Sequence, residues 1–532
     1  MGRFFALVGA GIGTLIGGVM LTLNENTIGY WFLGIAGPLF ILGVYDVIQA
    51  RHTLWRNYPI ISHMRWLFEG IRPEIRQYLI ESDADSFPFN REQRSLVYQR
   101  AKNQLQTIPF GTQQDVYASD YTFFSHSMQP EHVDPETLRV TIGGDKCKQP
   151  YSCSHLNVSA MSFGSLSGNA ISALNRGAAI GGFAHDTGEG GISRYHRENK
   201  GDIIWELGSG YFGCRTDDGN FSVEIFKEKV KDPQIKMIEI KLSQGAKPGH
   251  GGMLPGAKVT EEISEARGVP VGVDCISPAS HKAFSSPLGL VDFITTLREL
   301  SDGKPIGFKL CVGHRREFLA MIKAMLERDV YPDFIVVDGK EGGTGAAPVE
   351  FSNSVGLPLR DGLHFVNMAL IGAGIRDKIK IGASGKIVSG ADMAQAFALG
   401  ADWCNAARGF MFAIGCIQAR ACHTNRCPTG VATQDSMRQS GLHVGDKSRR
   451  VANFHLNTLK GFAEMVGAMG LTSPTEITFN MINFREPHLS GTSLVHLEEG
   501  QLLREDCPEE YGTHWRNADP STFKRAGSAV VA

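Results

Sequence analysis

The chain has 532 residues and a formal net charge of −2, enough length for more than one average domain and no basic excess for attracting nucleic acid. Its ten cysteines are spread along the chain rather than packed into a short framework, which excludes a disulfide-stapled secreted scaffold and suits buried thiols in a reducing compartment. The 62 glycines exceed average usage and point to tight turns and close backbone approaches.

The N-terminus is strongly apolar. Phe4 to Leu23 carries no charge, and beyond Asn24-Glu25-Asn26 the run from Thr27 to Tyr45 is again uncharged. Each is about long enough to cross a hydrocarbon core of roughly 30 Å as a helix. A cleaved signal peptide is the competing reading of the first run. The second apolar run behind it, and the lack of a small-residue cleavage site, argue against that. Arg3 stands before the pair, Arg51, Arg56 and Arg65 follow it, and the turn carries only Glu25. The positive-inside rule then leaves both ends in the cytoplasm. Residues 1–50 are therefore predicted to be a transmembrane hairpin in the inner, cytoplasmic membrane. The glycines of GAGIGTLIGG do not fit G-x-G-x-x-G, and small-residue helix packing explains them better.

Residues 51–150 are predicted to be a helical linker or cap. RWLFEGIRPEIRQYLIE has helical spacing, and FPFNREQRSLVYQRAKNQ predicts a second helix starting near Asn90. From 151 to 435 short apolar runs alternate with helical stretches. The runs are LNVSAMSFG, IGGFAHDTGEGG, KMIEIKLSQGAKPG, VPVGVDCIS, PIGFKLCVG, FIVVDGKEGGTG, KIKIGASGK and DWCNAARGF. Eight buried parallel strands in succession predict an α/β fold of the closed (β/α)8, or TIM, barrel type. A doubly wound sheet is the alternative, weakened by the lack of a dinucleotide fingerprint after any strand. Residues 436–532 read as a helical segment and tail, with little periodicity after Ser473.

Function in such a barrel gathers at the C-terminal ends of the strands. The glycine-rich ends at GASGK and AARG suit a phosphate held by backbone N–H groups, the alternative being tight turns alone. Lys241, Lys247 and Lys309, at or near the ends of apolar strands, would be costly to bury without an anion: a phosphate, a reduced flavin or a dicarboxylic substrate. Glu189, between glycines in TGEGG, could orient a substrate or a proton, or simply make a turn. Beyond the last strand stands CIQARACHTNRCP, with Cys416, Cys422 and Cys427 in twelve residues and His423 beside the second. Zinc is disfavoured by the adjacent Cys422 and His423, which would strain one tetrahedron. Structural thiols would not need three so close together. Three thiolates holding an iron–sulfur cluster, beside a flavin-type site, is the economical reading.

These stretches carry a family resemblance. SAMSFGSLS, DTGEGG, EIKLSQGAKPG, LPGAKV, ISP, GGTGA, GASGKI and CHTNRCPTGVATQ follow one another between Asn157 and Thr433. In that order they resemble the FMN-binding synthase domain of glutamate synthases. The N-terminal hairpin and NYPIISHMRWLFEGIRPEIRQY look similar to single-chain, membrane-anchored bacterial members. The resemblance implies FMN in the barrel and a [3Fe-4S] cluster on Cys416, Cys422 and Cys427. It implies FMN against Ala160, Met161, Ser162, Lys309 and the loop Gly342-Gly343-Thr344, with its phosphate near Ser384, Gly385, Arg408 and Gly409. Substrate carboxylates would meet Lys241, Gln244, Lys247 and Arg267, with Glu189 and Lys247 catalytic. The implied reaction forms L-glutamate from 2-oxoglutarate and ammonia. Its electrons would come from an external donor such as ferredoxin or a separate reductase, with the catalytic domain facing the cytoplasm.

The departures bear on substrate. The family's GEGGQLPG is GHGGMLPG here, placing His250 and Met253 beside the substrate, and GHDGGTG is GKEGGTG, with Lys340 and Glu341. A methionine cannot hydrogen-bond a carboxylate as glutamine does. Nothing in the chain resembles the family's glutaminase or NAD(P)H-binding domains, so ammonia or another amine is expected from solution or a partner. Two further readings stand beside the first: the same cofactors acting on a different imine, amine or hydroxy acid, and a non-catalytic membrane scaffold that keeps the barrel.

Overall fold

A computed structural model describes residues 2–23, 26–84, 86–485 and 495–523. The turn residues Asn24 and Glu25 and the last nine positions of the tail lie outside them. The chain divides into two compact units, Met1–Phe87 and Pro88–Ala532. The division falls well inside the expected 51–150 linker.

In the first unit, α1 (Phe5–Thr22) and α2 (Asn26–Ile48) are each long and apolar enough to cross a bilayer. Eighteen residues give α1 about 27 Å. The helices meet through small residues, as expected. A Cβ on Gly17 would stand 2.9 Å from the Cβ of Phe32 and 3.1 Å from the Gly29 carbonyl, and one on Gly13 would stand 2.9 Å from the Ala36 Cβ. Helix α3 (Ser62–Ile75) follows and runs into a π-helical turn, Arg76–Ile80.

The second unit opens with α4 (Arg91–Ala101), started as expected at Asn90. The Asn90 side chain accepts from the Gln93 N–H, and the Gln93 side chain accepts from the Asn90 N–H in return. Eight parallel strands then close into a barrel, each beside its neighbour in sequence: β1 (Leu156–Val158), β2 (His185–Asp186), β3 (Ile203–Leu207), β4 (Ile235–Lys241), β5 (Ile306–Leu310), β6 (Phe334–Asp338), β7 (Lys380–Ser384) and β8 (Trp403–Ala406). Closure pairs Leu156 of β1 with Cys404 of β8.

The strand count is as predicted, but one member is not. The run VPVGVDCIS contributes only Cys275–Ile276, antiparallel to Met253–Leu254 and outside the barrel. Val271, Val273 and Ile276 are exposed there. The third barrel strand is IIWEL, which gives little apolar-run signal because a glutamate interrupts a run of only five residues. That glutamate points into the barrel, where period-two alternation puts Ile203, Trp205 and Leu207 against the outer helices and Ile204 and Glu206 inside.

The interior is layered. Near the N-terminal end Ile204, Met237, Phe334, Val336 and Trp403 pack with Ile142, Tyr151 and Cys153 of an antiparallel hairpin, Arg139–Ile142 with Tyr151–Ser154. The hairpin closes that end of the barrel. Only the C-terminal end is left to bind anything, and there the inward residues turn polar. Helix α5 (Gly168–Gly181) follows β1, and the long α6 (Val444–Ala468) packs along it and against α4.

Candidate active site

A charged layer lies just beneath the barrel mouth. Glu206 of β3 and Glu239 of β4 are register partners, and Lys309 of β5 is partnered with Lys241 two residues further along β4. The Lys309 ammonium, almost wholly buried, contacts Glu206 closely and Glu239 at 3.3 Å. Asp186 joins them, the three carboxylates lying within 4.8 Å of one another. A metal ion could in principle sit among three such acids, but Lys309 already supplies the cation. The anion expected beside Lys309 is a phosphate, flavin or substrate; its partners in the structure are instead the chain's own Glu206 and Glu239. Burial pushes the Glu239 carboxyl up to about 7; Lys309 pulls the other way and Glu206 adds to the rise. Asp186 is also raised, by burial and then by Glu239. Burial opposes the charge on Lys309, yet Glu206 and Glu239 hold its pKa well above the ordinary value. The layer carries more acid than base and keeps proton capacity inside the barrel.

Above it, the DTGEGG turn after β2 folds over the end of β1. Gly188 has φ +61°, and a Cβ there would fall 2.7 Å from the Ser162 nitrogen, against the Ala160–Ser162 segment. Only glycine allows this approach. The turn delivers Glu189 to a cleft of about 480 Å3. Glu189 pairs with Lys241 at 3.1 Å and accepts a hydrogen bond from Ser277 Oγ at 3.2 Å. Burial opposes its charge, but Lys241, by charge and hydrogen bond, with Arg267 and Lys247 further off, holds the carboxyl down at about 2. The group is an anion at neutral pH.

Arg267 and Lys247 line the same cleft. Arg267 is buried; it donates to the Phe163 carbonyl at 2.9 Å and to Ser162 Oγ at 3.3 Å, and lies over the Phe212 ring at 5.2 Å. Lys247 Nζ donates to the Ala346 carbonyl at 3.0 Å, tying the loop after β4 to the loop after β6. Thr344 of the latter loop faces the cleft, and so does the exposed Met253. Gln244 is half-buried outside the cleft lining, and His250 packs instead against Phe351, ring centroids 5.2 Å apart. Of the four departures His250, Met253, Lys340 and Glu341, Met253 alone lines the cleft.

The remaining predicted cofactor residues gather at the ends of β6, β7 and β8. Ser384 is buried 3.3 Å from Ser159, oxygen to oxygen, and its carbonyl accepts from the Gly339 N–H at 2.8 Å. A Cβ on Gly343 would stand 2.8 Å from Arg408 Nε, and one on Gly409 would meet the Ile387 carbonyl at 3.2 Å. The Arg408 guanidinium lies over Phe89 at 4.7 Å and donates to the Glu341 carbonyl. It has no carboxylate within ion-pair range among the described residues. Burial lowers its pKa to about 10 even though Asp338 and Glu341 are near enough to raise it. A half-buried guanidinium among glycines, with no carboxylate paired to it among the described residues, has the chemistry of a phosphate site.

The cysteine loop closes the other side of the cleft, where Cys422 and His423 belong to its lining. All ten cysteines are free. The loop is tied to the segment around α4: Tyr98 donates to the Cys416 carbonyl at 2.7 Å, and Gln418 exchanges hydrogen bonds of 3.0 and 3.2 Å with the Phe89 backbone. Donors turn toward sulfur. The Gln418 N–H lies 3.5 Å from Cys416 Sγ, and Thr429 Oγ1 lies 3.5 Å from Cys427 Sγ. Burial pushes Cys416 up to about 12 and raises Cys422. For Cys427, hydrogen bonds from Thr429 and the backbone of Ala432 and Val431 outweigh burial and lower it. Three thiols with N–H donors aimed at sulfur fit an iron–sulfur ligand set.

Two kinds of residue escaped the sequence. Glu206, Glu239 and Asp186 gave no signal, because a charge inside an apolar run reads as an interruption. Lys258 stood in view within LPGAKV. It is buried between the cleft and the cysteine loop, with Nζ 3.2 Å from the Ser165 carbonyl and 3.3 Å from the Cys422 carbonyl. It makes no ion pair among the described residues; burial lowers its pKa to about 8, with Cys422 and Cys427 near enough to pull it back up.

Comparison with known proteins identifies the family. The profile for the conserved region in glutamate synthase matches residues 112–472. The chain is 38% identical over 516 residues to the glutamate synthase large subunit-like protein YerD of Bacillus subtilis (strain 168), covering 89% of this chain and 96% of that one. It is 38% identical over 315 residues to an archaeal-type glutamate synthase [NADPH] of Thermotoga neapolitana, covering 59% of each. A solved double mutant of flavocytochrome b2 with pyruvate bound is similar at a TM-score of 0.41 and 14% identity, over 79% of this chain and 85% of that one. The chain belongs to the glutamate synthase family and is an oxidoreductase of that class.

Proposed function

We propose that the protein is an FMN- and [3Fe-4S]-dependent enzyme that reductively aminates 2-oxoglutarate, or a related 2-oxo acid, to L-glutamate or its counterpart. Ammonia would come from solution or a partner, and electrons from ferredoxin or a separate reductase. One observation carries this reading: a single cleft has Glu189, Lys247 and Arg267 on one side and the cysteine loop, through Cys422, on the other. Bound at the barrel mouth, FMN would supply hydride transfer, and the cluster, on Cys416, Cys422 and Cys427, would supply single electrons.

The rest is done by the chain's own groups. Lys247 and Arg267 offer two cations for the two carboxylates of a dicarboxylic acid. Glu189, held ionised by Lys241, would orient a protonated imine nitrogen by its charge. Ser277 Oγ, which accepts from the Gly252 N–H, donates to Glu189 and helps orient its carboxylate. Arg408, Ser384 and the backbone at Gly343, Gly385 and Gly409 would hold the flavin phosphate. Helices α1 and α2 would anchor the chain in the inner membrane with the barrel in the cytoplasm.

Met253 supports a second reading, with the same cofactors and a different imine, amine or hydroxy acid, because its thioether offers no donor to a carboxylate. The test is anaerobic. The purified protein should show flavin absorption, iron and acid-labile sulfide, and a colourless, iron-free protein would point to a scaffold. Reduced chemically and given 2-oxoglutarate and ammonium, the flavin should reoxidise. Failure there, with reoxidation by another 2-oxo acid or imine, would favour the second reading.

A further inference from the structure

The first unit carries a feature that the two apolar helices do not use. In α3 and its π-helical turn, Met64, Leu67, Phe68, Ile71, Ile75 and Tyr78 recur at intervals of three and four residues, which puts them on one helical face. All but the half-buried Ile75 are exposed, Leu67 to 59% and Tyr78 to 62%. Arg65, Arg72 and Arg76, spaced by seven and four, run along one edge of that stripe. Water is a poor neighbour for so much contiguous apolar surface.

The junction to α2 is built to hold α3 in place. Asp46, near the end of α2, is fully buried and is met by His63 Nε2 of α3 at 2.8 Å and by the Ile60 N–H at 2.8 Å. Ile60 has φ +66°, a conformation that a β-branched residue adopts only when its surroundings impose it. Trp55 stacks on the His63 ring, centroids 4.4 Å apart. A strained turn bolted to the last turns of an apolar helix fixes α3 at the level where that helix ends.

We propose that α3 and its π-helical turn lie along the bilayer surface, apolar stripe at the acyl boundary, with Arg65, Arg72 and Arg76 against anionic phospholipid headgroups. The occupant follows from continuity with α1 and α2, from the stripe's place just beyond Asp46, and from the arginine edge. This rests on the reading of α1 and α2 as membrane-spanning, and the test separates the two.

The full-length protein is placed in nanodiscs of phosphatidylcholine with phosphatidylglycerol, with the photo-reactive residue p-benzoylphenylalanine replacing Leu67, Tyr78, Glu69 or Leu15 in turn. Phospholipid adducts are expected at 67, 78 and 15 and not at 69. Combining Arg65→Gln, Arg72→Gln and Arg76→Gln should abolish the enrichment of phosphatidylglycerol among the adducts at 67. Adducts at 15 with none at 67 or 78 would overturn the proposal and leave the hairpin standing. Adducts at 67 and 78 to a second protein chain would overturn it in favour of a protein-covered face. Absence of lipid adducts at all positions, 15 included, would overturn the hairpin reading and this proposal with it.

Discussion

Replacing Lys309 by methionine tests the charged layer directly. Among the described residues Lys309 is the single cation paired with Glu206 and Glu239, which lie with Asp186, and it is nearly inaccessible to water. With an effective dielectric of about 20, its attraction to Glu239 at 3.3 Å is about 5 kcal/mol before desolvation. Removing one member of a buried pair typically costs about 3–5 kcal/mol. The carboxylates can escape by binding a proton. From an ordinary glutamate value of 4.5, each extra proton costs about 4.1 kcal/mol at pH 7.5 and about 1.4 kcal/mol at pH 5.5. A carboxyl whose folded pKa is raised contributes stability that is fully present below its unfolded pKa and lost as pH rises through the folded one. The variant should therefore be about 3–5 kcal/mol less stable than the parent at pH 7.5, with the gap narrowing by about 2.7 kcal/mol per extra proton at pH 5.5. Urea unfolding at the two pH values measures this, with and without added FMN, because a ligand bound only to the folded state adds stability. Adding Glu206→Gln to the variant should restore much of the loss. A Lys309→Met protein within about 1 kcal/mol of the parent at pH 7.5, or a loss that does not change with pH, would refute the reasoning.

Three further outcomes are expected. Gly252→Ala would put a Cβ 2.1 Å from Glu189 Oε1 and 2.7 Å from Ser277 Oγ. Displacing that carboxylate should lower turnover by about 100-fold with flavin content unchanged, and unaltered turnover would count against a role for Glu189. Arg408→Met should weaken FMN binding by about 10- to 150-fold, the worth of a charge-assisted hydrogen bond, as read by fluorescence titration; an unchanged Kd would remove Arg408 from the phosphate site. Cys422→Ser should abolish the cluster's EPR signal while FMN is retained, and an unchanged signal would sink the ligand assignment.

Local pattern was a good guide wherever the physics was local. The two uncharged runs became helices because twenty apolar residues leave the backbone few alternatives to bonding itself. The start of α4 was legible in Asn90 and Gln93, which satisfy each other's backbone within one turn. The glycines of DTGEGG marked a real close approach, and the three cysteines stood in one loop beside the cleft. Seven of the eight barrel strands could be read, since parallel strands covered on both faces are mostly apolar.

Tertiary structure alone decided which apolar runs join the barrel and what their charges do. VPVGVDCIS is as apolar as IIWEL, yet only the second pairs with β2 and β4. Membership depends on neighbours remote in sequence. Glu206, Glu239 and Lys309 come from three strands and compensate one another only once the barrel is closed, so none announces itself along the chain. Lys258 and Arg267 likewise gain meaning from what they face across the cleft, the cysteine loop for one and the Ser162 turn for the other. The sequence alone determined the long helices, most of the strands and the kinds of chemistry available. Closure of the barrel determined which charges meet, because an electrostatic partner is a matter of distance in space and leaves no period in the sequence.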